Sequence, residues 1–188
     1  MQKTVALTRR TVIRGFTALF IVVAGAVAAA CWSNGSSIEE PVDTGGLTAE
    51  QKQGVAQVLS ATAQFKTFTV AQQAGYTNQY PAGCAASADG AQGFHYLNNA
   101  LVDDKVELLR PELVMYEPQA DGSMQLIGVD YVVPFDAWKS PSAPTLLGMP
   151  FMRNEPLGVW ALHIWAYRSN PSGMFAMWNP KASCQHAH

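Results

Sequence analysis

Positive charge is scarce in this chain and gathers at one end. Lys and Arg total 12 against 14 Asp and Glu, and no Lys/Arg cluster occurs after Arg14. Phosphate contacts need a basic patch, so nucleic acid is excluded as a partner. Several catalytic signatures are missing as well. No Gly-Xaa-Ser-Xaa-Gly turn presents a serine nucleophile. No glycine-rich loop opens a helix, which leaves nucleotide binding without support. No His-Glu-Xaa-Xaa-His run supplies close-spaced metal ligands, and there is no internal repeat. Cysteine is limited to Cys31, Cys84 and Cys184. Neither Cys84 nor Cys184 has a second Cys or His at the usual ligand spacing, which argues against a cysteine-based zinc site.

What is present begins with an export signal over residues 1–30. Arg9, Arg10 and Arg14 lie in a run without acids, followed by an apolar stretch from Phe16 to Val27 and then Ala28-Ala29-Ala30-Cys31. This is the order of a bacterial secretory signal. The stretch is short of the roughly 20 apolar residues that span a bilayer. Thr8 to Arg14 resembles a twin-arginine signal in which Thr11 interrupts the expected apolar pair; the general secretory route is the alternative. Ala28 to Cys31 resembles a lipobox with Ala28 in place of the usual Leu. It makes Cys31 the expected lipidation site and the lipid the expected contact with the membrane. Ordinary cleavage after Ala30 is the other reading.

Removing residues 1–30 leaves 8 basic and 14 acidic side chains, a formal charge of −6. With Cys31 lipidated, Cys84 and Cys184 remain as a pair. Exported chains meet oxidising conditions, so a disulfide is expected. It would close a loop of 100 residues, a constraint worth about 4–5 kcal/mol in the chain-entropy model. Residues 31–46 are polar and read as a tether. Residues 47–188 are one domain's worth of chain.

Within that domain, Thr48-Ala49-Glu50-Gln51 is a capping box. Val55, Val58, Leu59, Thr62 and Phe65 follow at helical spacing and predict a helix over about 49–65. A shorter helix is expected over 70–74, ended by Gly75. Residues 76–94 contain Pro81, Gly83, Gly90 and Gly93 with no clear period, and read as a long loop held by Cys84.

The remainder is β-rich. Leu113–Glu117 and Met124–Val133 flank Asp121-Gly122, a hairpin turn. If those two residues form the loop, Glu117 faces Leu126 and Leu113 faces Asp130. Leu113, Met115, Glu117, Leu126, Gly128 and Asp130 then share one face. Val114, Tyr116, Ile127, Val129, Tyr131 and Val133 form the other, which should meet the helices. After a proline-rich connection over 134–156, a third strand is expected over 159–167, and a short last one over 175–178. The fold class is α+β: N-terminal helices packed on a mainly antiparallel sheet, with one disulfide.

The candidate site rests on polar residues at costly places. His95 follows the long loop, while His163 and Asp130 are mid-strand; Glu117 shares a strand face with Asp130. Such groups are unfavourable unless paired. One outcome is a hydrogen-bonded cluster with no further role. The other is a binding site, with His95, His163, Asp130 and Glu117 meeting a small ligand. His95, His163 and Asp130 would then hold zinc, iron or copper with a position open to water or substrate. A metal-dependent enzyme at the same cluster would use Glu117 or Asp130 as base. A second metal pattern is Met149-Xaa-Xaa-Met152 with Met174-Xaa-Xaa-Met177 and the His186-Xaa-His188 tail, thioether spacings that suit copper. Methionine also fills irregular cores without any metal. A structural envelope lipoprotein with no small ligand is the third reading of the whole chain.

Phe94-His95-Tyr96-Leu97-Asn98, Tyr116-Glu117-Pro118, Gly128-Val129-Asp130-Tyr131, Leu162-His163-Ile164-Trp165 and the run from Asn170 to Pro180 resemble a group of uncharacterised exported bacterial proteins. That resemblance implies export and covers most of the folded part. It implies no activity and assigns no functional residue.

Overall fold

The computed structural model describes residues 42–188. The signal over 1–30, the Cys31 lipidation site and the tether as far as Pro41 lie outside the described residues. Val42 and Leu47 already pack against the core.

Helix α1 spans Ala49–Thr62 and starts as its sequence dictates. The Thr48 hydroxyl accepts from Gln51 N, and the Gln51 side chain returns to the Thr48 backbone, so two orphan donors are satisfied reciprocally. Val55 and Val58 are buried, each worth roughly 1.5–3 kcal/mol of transfer free energy. A 3-10 turn, Ala63–Lys66, finishes the predicted helix. Helix α2, Phe68–Gln73, ends before Gly75 at φ +102°.

Eight strands follow in chain order: β1 Asn78–Ser87, β2 Gly90–Leu97, β3 Leu113–Pro118, β4 Met124–Pro134, β5 Thr145–Leu146, β6 Met149–Pro150, β7 Met152–Asn154 and β8 Val159–Ile164. Six of them form one curled antiparallel sheet in the order β1-β2-β3-β4-β8-β7, and β5 pairs with β6 alone. The class is therefore mixed α+β with an antiparallel sheet, and Cys84 and Cys184 are disulfide-bonded.

Several expectations need correcting. Residues 76–94 are not a loop; they form most of the β1–β2 hairpin. Its strand β1 is irregular, with register shifts between Gln79 and Cys84 and between Ala85 and Ala86. Those bulges erase the alternation that marks a strand. Residues 175–178 form no strand, although Ala91 bridges to Asn179. The third predicted strand stops at Ile164.

The β3–β4 turn is one residue longer than expected. Gly122 N donates to Gln119 O, Gln119 N donates to Ser123 O, and Gly122 takes φ +81°. Glu117 consequently faces Gln125 instead of Leu126. A bulge between Met115 and Tyr116 then absorbs the offset, and Leu113 faces Asp130 as the sequence suggested.

The sheet faces divide only in part as the alternation predicts, because Met115 and Leu126, expected on the opposite face, join the cluster that meets the helices. Val114, Tyr116, Ile127, Val129, Tyr131 and Val133 share a buried cluster with Val55, Val58, Phe65 and Ala71. Tyrosine hydroxyls tie this cluster to the surrounding chain. Tyr116 donates to Phe65 O at 2.6 Å, Tyr131 to Leu108 O at 2.7 Å and Tyr76 to Pro111 O at 2.8 Å. A second, smaller apolar cluster comprises Leu97, Leu113, Val132, Val159 and Ala161.

Candidate metal centre

The sheet order places β2, β4 and β8 close together, with β3 between the first two. Asp130 and His163 are directly opposed across β4 and β8. His95 pairs with Met115 on β3 and reaches Asp130 over that strand. Gly93 sets the approach of β2: it has φ +77°, and a Cβ there would lie 2.2 Å from Tyr116 O. Only glycine fits so close a backbone contact in that conformation.

The three polar side chains converge. His95 Nε2 is 3.4 Å from His163 Nε2 and 4.0 Å from Asp130 Oδ2, and His163 Nε2 is 3.5 Å from the same oxygen. All three residues are buried. The carboxylate distances exceed the 2.7–3.2 Å of an N–H···O hydrogen bond, so the cluster is a poor hydrogen-bonded triad. The triangle suits a shared ion better. Those three distances leave a point in the plane of the atoms about 2.1 Å from each, which matches zinc–nitrogen and zinc–oxygen distances. His95 Nδ1, His163 Nδ1 and Asp130 Oδ1 are buried with no hydrogen-bond partner among the described residues. Buried polar atoms left in that condition ask for an explanation.

Burial pushes the His95 pKa down to about 4, against the pull of Asp130 and with a further push from His163. The ring is therefore neutral near pH 7, with the lone pair a metal ligand requires.

Glu117 is not brought to this cluster. Its carboxylate accepts from Ser183 N at 2.8 Å and pairs with Arg168 Nη2 at 3.0 Å. Arg168 in turn donates to Lys181 O at 2.7 Å. Burial pushes the Glu117 pKa up, opposed by Arg168 and the Ser183 N–H. The residue fastens the C-terminal segment to β3, next to the disulfide. The methionine pattern converges only in part, with Met149 and Met174 lining one surface pocket. Met174 is buried in the main cluster, while Met177 lines the pocket described below. His186 and His188 line a separate surface depression with Met124.

A pocket of about 280 Å³ opens beside the three ligand atoms. Its walls are mainly apolar: Leu113, Val132, Val159 and Ala161 from the sheet, Leu157 from the β7–β8 connection, and Trp178 from the C-terminal segment. Tyr80 and Gln92 were not recognisable as site residues in the sequence, since the hairpin over 78–97 was not legible there. Asp130 is the one acid among the lining residues.

Glu112 is a further buried carboxylate that the sequence reading passed over. It accepts from Val132 N at 3.1 Å. Burial raises its pKa to about 8, opposed by backbone N–H donors and helped slightly by Asp130 and Asp103. The signal available in the sequence was an acid set between Pro111 and an all-apolar strand.

No protein family, curated protein or solved structure matches this chain. Among the described residues no helix is long and apolar enough to cross a membrane.

Proposed function

We propose that this chain is an exported, lipid-anchored envelope protein that binds a divalent transition metal through His95, Asp130 and His163. The observation that carries the reading is the triangle of ligand atoms, too wide for good hydrogen bonds and sized for a common ion. Two imidazoles and a carboxylate form a nitrogen- and oxygen-rich donor set. It favours zinc or ferrous iron over calcium or magnesium, and three protein ligands leave a position open. In this reading the N-terminal helices cover the sheet face opposite the pocket and serve as rigid backing. Export and the lipid anchor are supported by the signal-like N-terminus and by the pairing of Cys84 with Cys184, which leaves Cys31 as the remaining thiol.

Binding is favoured over hydrolysis at this centre. Of the two carboxylates that the enzyme reading offered as base, Glu117 is committed to Arg168 and Ser183, and Asp130, the acid lining the pocket among the described residues, is itself a ligand in this reading.

Metal analysis of the purified protein after equilibration with zinc or ferrous iron tests the central claim. One equivalent is expected for the wild type and a loss of metal for His95→Ala and His163→Ala, with circular dichroism showing that the variants remain folded. A folded wild type that takes up neither metal overturns it. Labelling with a palmitate analogue, present in the wild type and absent in Cys31→Ser, tests the anchor.

A further inference from the structure

The pocket walls say what the centre would hold. Three of their polar side chains already hold backbone groups. Tyr80 Oη donates to Leu157 O at 2.7 Å, Gln92 Nε2 donates to Met177 O at 3.1 Å, and Asn154 Oδ1 accepts from Leu157 N at 3.3 Å. The rest of the lining is dominated by aliphatic and aromatic side chains. A guest finds its charged partner at the His95–Asp130–His163 end and mainly apolar surface elsewhere. Its size is bounded too, because about 280 Å³ is at the small end of ligand pockets, which run roughly 300–1,000 Å³.

Charge fixes the head group. A divalent ion held by one carboxylate and two neutral imidazoles keeps one positive charge in a buried place. Uncompensated buried charge is unfavourable, and an anion at the open position neutralises it.

We infer that the pocket takes a small organic monoanion, an aromatic carboxylate of about benzoate size, with its carboxylate on the metal and its ring between Leu157 and the sheet residues Val132 and Ala161. This rests on the metal-binding reading above. The ion supplies the attraction for the head, and the apolar walls discriminate against anions that lack a body.

Cobalt(II) is the probe metal, because its visible bands report a change of ligand. The cobalt-loaded protein is titrated with benzoate, acetate and benzyl alcohol by absorbance and calorimetry. Benzoate is expected to shift the bands and to bind about tenfold or more tightly than either acetate or benzyl alcohol, a gap of about 1.4 kcal/mol. Leu157→Trp is expected to weaken benzoate by at least about tenfold while cobalt stoichiometry is kept; Val159→Phe provides the same obstruction should the first variant fold poorly. Bands that stay unchanged up to about 10 mM benzoate, or acetate binding as well as benzoate, overturn the inference and leave the metal centre standing. A folded protein that binds no cobalt removes the centre and this inference together.

Discussion

Asp130 and His163 face each other across β4 and β8, with Oδ2 3.5 Å from Nε2. The register alone makes them neighbours, and their spacing is that of two ligands on one ion. Asp130→Asn keeps the shape and removes the charge. Metal affinity should fall by more than the roughly 10–100-fold that an outer-shell change costs. Competition against a chromogenic chelator measures it. An unchanged affinity would remove Asp130 from the centre.

Glu117→Gln should behave differently. Glu117 holds Arg168 and Ser183 N, so its loss is a matter of stability. A cost of about 1–3 kcal/mol is expected in denaturant titration, as for hydrogen bonds to a charged group. Metal stoichiometry should be unchanged. Loss of metal from a folded Glu117→Gln protein would return this residue to the site.

The Cys84–Cys184 disulfide closes a loop with a sequence separation of 100. Cys84→Ser with Cys184→Ser should lower stability by about 4–5 kcal/mol on the chain-entropy account. The shift of the denaturant midpoint checks it. The bond also ties β1, which supplies Tyr80 and Pro81 to the pocket, to the C-terminal segment that supplies Trp178. Loss of benzoate affinity should therefore exceed loss of metal affinity in the double variant.

Glu112 sets a pH dependence. Its native pKa is raised to about 8 from the model-compound 4.5. Between those values the native state binds more protons than the unfolded chain, so stability falls as pH rises from 4.5 to 8. Glu112→Gln removes that slope. The variant should melt above the wild type at pH 8, with a gain on the order of a few kcal/mol that shrinks towards pH 5. Thermal melts at the two pH values decide it. A wild-type advantage that grows with pH would contradict the buried neutral carboxyl.

Local chemistry made part of this fold readable. Thr48 and Gln51 announce α1 because a capping box needs only four residues. Leu113 opposite Asp130 was inferred from a two-residue turn that the structure does not contain. The turn holds one more residue, and the bulge on β4 opposite Met115 and Tyr116 restores the phase. His95, Asp130 and His163 stood out as polar groups placed where burial costs most. Glu117 looked equivalent on its strand face; Arg168 and Ser183 take it up because the C-terminal segment folds back, a return that the Cys84–Cys184 pairing announced without saying which residues it would meet. The β1–β2 hairpin was hidden for a related reason. Pro81, Gly83 and two register shifts suppress the alternation that marks a strand, and β1 becomes recognisable only through its partner.

The two imidazoles of the centre are 68 residues apart in sequence, and the carboxylate comes from a strand between them in the chain. A disordered chain offers these three groups no local chelate, since their encounter requires β2, β4 and β8 to be in register. Occupancy of this centre would then count native molecules: a spectroscopic signal from bound cobalt would serve as a gauge of how much of a preparation holds the finished structure.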